Sequence, residues 1–143
     1  VVAEACSVGK EHVYGGVLMS EFQPMTIEQI AAIAEKNNCD VVIAQADELQ
    51  FDLDSLQALA TFERFLLRLA NEYNGLVVSG WKSKSGNNHK TIAHRSFSTM
   101  SVQEKIALQA MGGSDEGREF ASLHCYWHGS PHHVLLFRPK VSV

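Results

Sequence analysis

Cysteine is scarce in this chain of 143 residues: Cys6, Cys39 and Cys125, odd in number and widely spaced. That excludes a disulfide framework and fits a reducing compartment. No Cys-x-x-Cys occurs, so the usual scaffold of a structural zinc site is missing and no metal is expected. No apolar run reaches the roughly 20 residues that a membrane helix needs, and the start lacks a signal-peptide pattern. A cytoplasmic protein with no membrane partner is the expectation. Gly9-Lys10 is not a phosphate-binding loop, because the upstream glycine and the following hydroxyl residue are absent. No cofactor signature is present and no internal repeat is visible. Acidic residues are missing altogether between Glu72 and Glu104.

What is present suits an ordinary folded domain. The hydrophobic share is 45 % and the charged share 20 %, which excludes disorder for the body of the chain. The length favours a single domain, 1–143, with residues 1–10 as a loose lead-in. Net charge is −4 but unevenly spread. Twelve acids face four bases before Trp81, and eight bases face four acids from there on. Such asymmetry marks either a polyanion site, a head-to-tail contact or an unevenly solvated surface.

Asp54 to Trp81 organises the rest. Gln57, Thr61, Arg64, Arg68 and Asn71 form a polar stripe at helical spacing, and leucine, phenylalanine and alanine fill much of the remaining circumference. Asp54 with Gln57 predicts a capping box, and Asn74-Gly75 a stop. Leu76 to Trp81 then reads as a strand. So wide an apolar face implies contact on two sides. Phe65, beside Arg64 and Arg68, is the marker of a homodimer interface.

Around that pair the order is regular. His12 to Phe22 alternates as a strand, and Thr26 with Gln29 caps a helix closed by Asn37-Asn38. Val41 to Ala44 is a short buried strand, and residues 46–52 an acidic link. Thr91 to Phe97 returns as a strand across a polar turn, and Ser101 with Glu104 opens a helix that Gly112-Gly113 ends. Residues 114–121 fit either a helical turn or a loop. Ser122 to His128 and His132 to Arg138 read as a hairpin about Gly129-Ser130-Pro131, with His128 facing His132 and Cys125 facing Leu135. The fold class expected is α+β: a mainly antiparallel sheet of about five strands with two or three helices on one face, ferredoxin-like in its first half.

Two groups of residues can carry chemistry. Four of the seven histidines crowd residues 123–133. On a helix, His124 and His128 would share a face and suit a metal. On the predicted strand they stand ~13 Å apart and cannot share one. His89-Lys-Thr91, His94-Arg-Ser96 and His128-Gly-Ser130 are His-x-Ser/Thr triplets, similar to the paired motifs of the two-histidine phosphoesterases. That likeness implies acid–base chemistry on a phosphodiester. A small hydrolase or phosphate-ligand binder using His94, His128 and His132 as catalytic candidates is the corresponding reading. Pro131 breaks the apolar flank such a strand requires. Lys82, Lys84, Lys90 and Arg95 form the second group, an anion site able to grip a phosphate or nucleic acid between Trp81 and Phe97.

The strand–helix–strand–helix–strand order ending in Gly80-Trp81 resembles the layout of the bacterial ribonuclease E inhibitor family over about half the chain. The resemblance implies a regulatory protein without chemistry. The leading expectation is accordingly a binding or regulatory module acting through protein contact, with a homodimer or another protein as partner. The alternative is the hydrolase or phosphate binder just described.

Overall fold

The computed structural model describes residues 25–130 and 135–141. The expected strand from His12 to Phe22 lies outside them. Thr26 opens the first helix, α1 (Ile27–Lys36), through the capping box that its spacing to Gln29 predicts. Ile30 and Ala34, one turn apart, are its buried residues. Asn38 adopts a positive φ of 55°, turning the chain into β1 (Cys39–Ile43).

The supposed acidic link is a strand, β2 (Glu48–Leu53). Its alternation is plain once acids are allowed on one face: Leu49, Phe51 and Leu53 point one way, Glu48, Gln50 and Asp52 the other. Next comes the long helix, α2 (Leu56–Glu72), capped by Ser55, whose side chain accepts from the Ala58 N–H. The cap is therefore one residue beyond Asp54. Gly75, at φ 82°, completes the stop.

After the stop, β3 (Val77–Lys82) and β4 (Asn88–Ala93) form an antiparallel hairpin in the register Val77↔Ala93 to Lys82↔Asn88. A 3-10 turn (Arg95–Thr99) follows where the sequence suggested more strand. The helix α3 (Val102–Met111) carries the predicted Ser101–Glu104 capping box and ends at Gly112.

The second predicted hairpin does not form. Its first arm is the helix α4 (Glu116–Trp127), capped by Asp115, and its second arm, β5 (Leu135–Pro139), pairs with β1. The reason is visible in what α4 buries. Arg118, Glu119, Ser122, His124 and Cys125 form its inner face, so polar residues occupy the positions where a helix usually shows apolar ones.

The class is α+β; among the described residues every strand pairs antiparallel, and the strands divide into two sheets. One sheet has the order β2-β4-β3, the other β1-β5. Because β2 and β3 both run against β4, they are parallel to each other, and β2–α2–β3 is a split β-α-β unit. The ferredoxin-like arrangement is not established by these strands. β1 runs directly into β2, and the two lie in different sheets. That extra strand also departs from the layout of the ribonuclease E inhibitor family.

Among the described residues two clusters make the core. Ile30, Ala34, Cys39 and Leu135 to Phe137 join α1 to the smaller sheet. Leu49, Phe51, Leu53, Ile92 and Phe97 meet Phe62, Phe65 and Leu69 of α2. Phe65 is only 9 % exposed, its ring 5.9 Å from that of Phe51, so it belongs to the core and cannot mark a surface interface. The apolar surplus of α2 lies at Leu56 and Leu67, which are exposed. No helix among the described residues is long and apolar enough to cross a membrane.

Candidate functional site

The larger sheet has two edges, and they are treated in opposite ways. At the β2 edge Glu48, Gln50 and Asp52 face outward; the Glu48 N–H donates to the Gln45 carbonyl at 3.0 Å, and both main-chain groups of Gln50 and Asp52 meet a partner. The Gln50 N–H donates to Gln109 Oε1 at 3.0 Å, and the Asp52 N–H to Ser114 Oγ at 2.9 Å. The Gln50 carbonyl accepts from Arg118 Nη1 at 2.9 Å, and the Asp52 carbonyl from the Asp115 N–H at 2.8 Å. The α3–α4 corner thus supplies what a neighbouring strand would.

That edge is held by a buried polar network. Glu119 accepts from Gln109 Nε2, Ser114 Oγ and Arg118 Nη1 at 2.7, 2.6 and 2.6 Å. Arg118, 1 % exposed, spends Nη2 on Gln50 Oε1 and on the Leu135 carbonyl of the other sheet. Gln50 Nε2 in turn donates to the Val42 carbonyl. The ion pair is nearly fully hydrogen-bonded, the condition under which a buried pair can be kept.

Among the described residues the β3 edge is the reverse, with no strand or loop paired to it. Val77 to Gly80 are exposed throughout, Val77 by 64 % and Val78 by 41 %. Hydrogen-bonding direction alternates along a strand. Since Gln50 and Asp52 point outward from β2, Leu49, Phe51 and Leu53 point to β4, and His89, Thr91 and Ala93 of β4 point to β3. Val77, Ser79 and Trp81 therefore bond inward, and the N–H and C=O groups of Val78 and Gly80 face outward. Natural edges are usually blunted by charge, proline or a bulge. Residues 77–81 contain no charge and no proline.

Across the sheet beside this edge runs the row Asp52–His89–Trp81, set by register. His89 Nε2 lies 3.2 Å from Asp52 Oδ1, and its ring meets Trp81 edge-on at 5.7 Å. Trp81 Nε1 donates to the Phe137 carbonyl, and the Arg138 guanidinium lies 5.7 Å over the indole. The other nitrogen of His89, Nδ1, is buried with no hydrogen-bond partner among the described residues, and the imidazole side chain is 6 % exposed against 16 % for Asp52. Asp54, nearby in sequence, has its carboxyl held above the usual range by burial and then by Asp115.

The basic residues do not gather on one surface. Lys82 and Lys90 share a sheet face, the stem of Lys90 lying over Gly80. Lys84, in the turn, donates to the Asn37 carbonyl at the end of α1. Arg95 begins the 3-10 turn beyond the far end of β4, about 10 Å of strand away from Lys90.

Nor does the structure bring His94 and His128 together. His94 Nδ1 accepts from the Ser96 N–H, and Nε2 donates to the Asn74 carbonyl at 2.8 Å. Its ring packs against Tyr73 and Phe97, which also touch each other. His128 ends α4, its Nδ1 donating to the His124 carbonyl, and His132 lies outside the described residues. His124 and His128 do share a helical face, rings stacked with centroids 6.3 Å apart. That corrects the strand reading that set them far apart. Burial, and then His128, hold the His124 imidazole below its ordinary pKa. Among the described residues no group of three or more His, Cys, Asp and Glu side chains is placed to hold a metal ion.

Sequence reasoning missed the edge network because its members are scattered as Gln50, Gln109, Ser114, Arg118 and Glu119. One local signal was legible: Asp115, three residues before Arg118, as an N-cap. The chain matches no protein-family model, no curated protein and no solved structure.

Proposed function

We propose that the protein is a binding module, regulatory rather than catalytic, which joins another polypeptide by strand addition along β3. The observation that carries this reading is the contrast between the two edges of one sheet: β2 is sealed by a buried network, while β3, among the described residues, has no main-chain partner along its outer side. Strand addition draws affinity from main-chain hydrogen bonds and selectivity from alternate side chains. On β3 those side chains are Val78 on one face and Val77, Ser79 and Trp81 on the other. A homodimer is one form such pairing can take. The commitment of both His94 nitrogens to folding bonds also favours binding over hydrolysis.

The test is a titration of isotope-labelled protein with a seven-residue peptide of the sequence Leu-Val-Val-Ser-Gly-Trp-Lys, with a proline-substituted peptide as control. The expected result is amide shifts confined to residues 77–82 and their β4 partners, absent with the control. Shifts elsewhere, or none at ~1 mM peptide (a concentration that fills even a millimolar site by half), would refute it.

A further inference from the structure

We infer that the strand received by β3 is the β3 of a second copy, paired antiparallel about a two-fold axis at Ser79, which joins the two β2-β4-β3 sheets into one of six strands. This rests on the β3 edge being a polypeptide-binding surface and adds the identity of the occupant.

Register follows from which groups face out. Outward groups must meet outward groups, so Val78 pairs with Gly80 of the other copy and Gly80 with its Val78. Ser79 then lies opposite Ser79, Val77 opposite Trp81 and Lys82 opposite Leu76. Each pairing is favourable or neutral: aromatic against β-branched twice, hydroxyl against hydroxyl once. Shifting the axis to Gly80 would set Val77 opposite Ser83 and lose both aromatic pairs. Shifting it to Val78 would set Val77 opposite Ser79, with the same loss.

Charge allows the pairing as well. With the axis at Ser79, Lys82 and its symmetry mate stand six strand residues, about 20 Å, apart. That exceeds the screening length of roughly 8 Å at physiological salt, so their repulsion is small. Val77, 64 % exposed in the single copy, is covered in this pairing by the partner's indole, which Arg138 and His89 hold in place. The same patch serves both copies, as a closed two-fold interface requires. Being one edge deep, the interface is smaller than those of obligate dimers, so association is weak and concentration-dependent.

Gly80 is unsuited as the test position, because a Cβ there would approach the His89 carbonyl oxygen to 2.4 Å within the same copy. Sedimentation of the full chain from about 5 to about 500 µM, a range that spans a weak dimer, is compared for wild type, Val78→Pro and Val78→Lys. The proline removes an outward N–H and the lysine puts charge on the edge, neither touching the β4 ladder. The expected result is a dimer that fills with concentration and weakens at least ~tenfold in both variants, with thermal melts showing both folded.

Register is read separately by Ser79→Cys in a Cys6→Ser background. Directly opposed residues of this kind stand about 4.5 Å apart at Cα, inside the roughly 4.4–6.8 Å span of a disulfide. A disulfide-linked dimer is expected from Ser79→Cys and not from Val78→Cys. A wild-type monomer throughout, or a dimer indifferent to both Val78 variants, would overturn the inference. If the heptapeptide nevertheless binds β3, the edge reading survives and only the second copy is lost as its occupant.

Discussion

Arg118 of α4 grips Gln50 of β2 twice, through the main-chain carbonyl at 2.9 Å and the side-chain oxygen at 3.0 Å. One guanidinium thus closes a strand edge and fixes the side chain that reaches the other sheet. Its removal should be severe.

Arg118→Ala strands Glu119 as a buried charge and leaves the Gln50 carbonyl without its donor. The expected loss is about 3–5 kcal/mol in denaturant melts. Arg118→Lys should recover little, since an ammonium lacks the planar fork that spans Gln50, Glu119 and Leu135. A cost below ~1 kcal/mol for Arg118→Ala, within the range of ordinary surface changes, would show that the network does not hold the edge.

Gly112 packs closely against two buried rings, one from β2 and one from the long helix. A Cβ there would come within 2.5 Å of Phe51 Cε2 and 2.9 Å of Phe65 Cδ2. Its φ of −83° is open to any residue, so the obstacle is steric and lies in two buried rings. Gly112→Ala should cost about 1–3 kcal/mol, and Phe65→Leu in the same chain should return part of it. Additive effects of the two substitutions would contradict the contact.

Acid should expose the His124 neighbourhood. Because burial and His128 lower its folded-state pKa, the folded chain resists protonation there. The stabilising contribution is complete above the ordinary value of 6.5 and is lost as pH falls from there through the lowered one. Melting temperature should therefore decline below pH 6.5, and His124→Gln should flatten that decline. An unchanged slope in the variant would exclude His124 as its source.

Much of the fold was legible for local reasons. The Thr26–Gln29 and Ser101–Glu104 capping boxes, the long helix and β3 all follow from side chains within a few positions of each other. Two of the failures, β2 and α4, share one cause, which is burial of polar residues. β2 hid behind Glu48, Gln50 and Asp52, though Gln50 is wholly buried. α4 hid behind Arg118, Glu119 and Ser122, so its aromatic and histidine residues suggested a hairpin. Phe65 was misplaced because its neighbours Arg64 and Arg68 are polar, whereas the buried stripe runs through Phe62, Phe65 and Leu69. The open edge was hidden for a different reason. Whether a strand lies at a sheet margin depends on pairing order, which no local pattern records.

Amide hydrogen exchange at residue resolution, in dilute protein, addresses the central contrast most directly. Gln50 and Asp52 should be protected as deeply as the core, because their N–H groups end on Gln109 and Ser114. Along β3, Ser79 and Trp81 should be protected while Val78 and Gly80 exchange rapidly, and raising the concentration should slow those two alone. Equal protection of all four β3 amides in dilute protein, or rapid exchange at Gln50 and Asp52, would contradict a sheet sealed at β2 and open at β3.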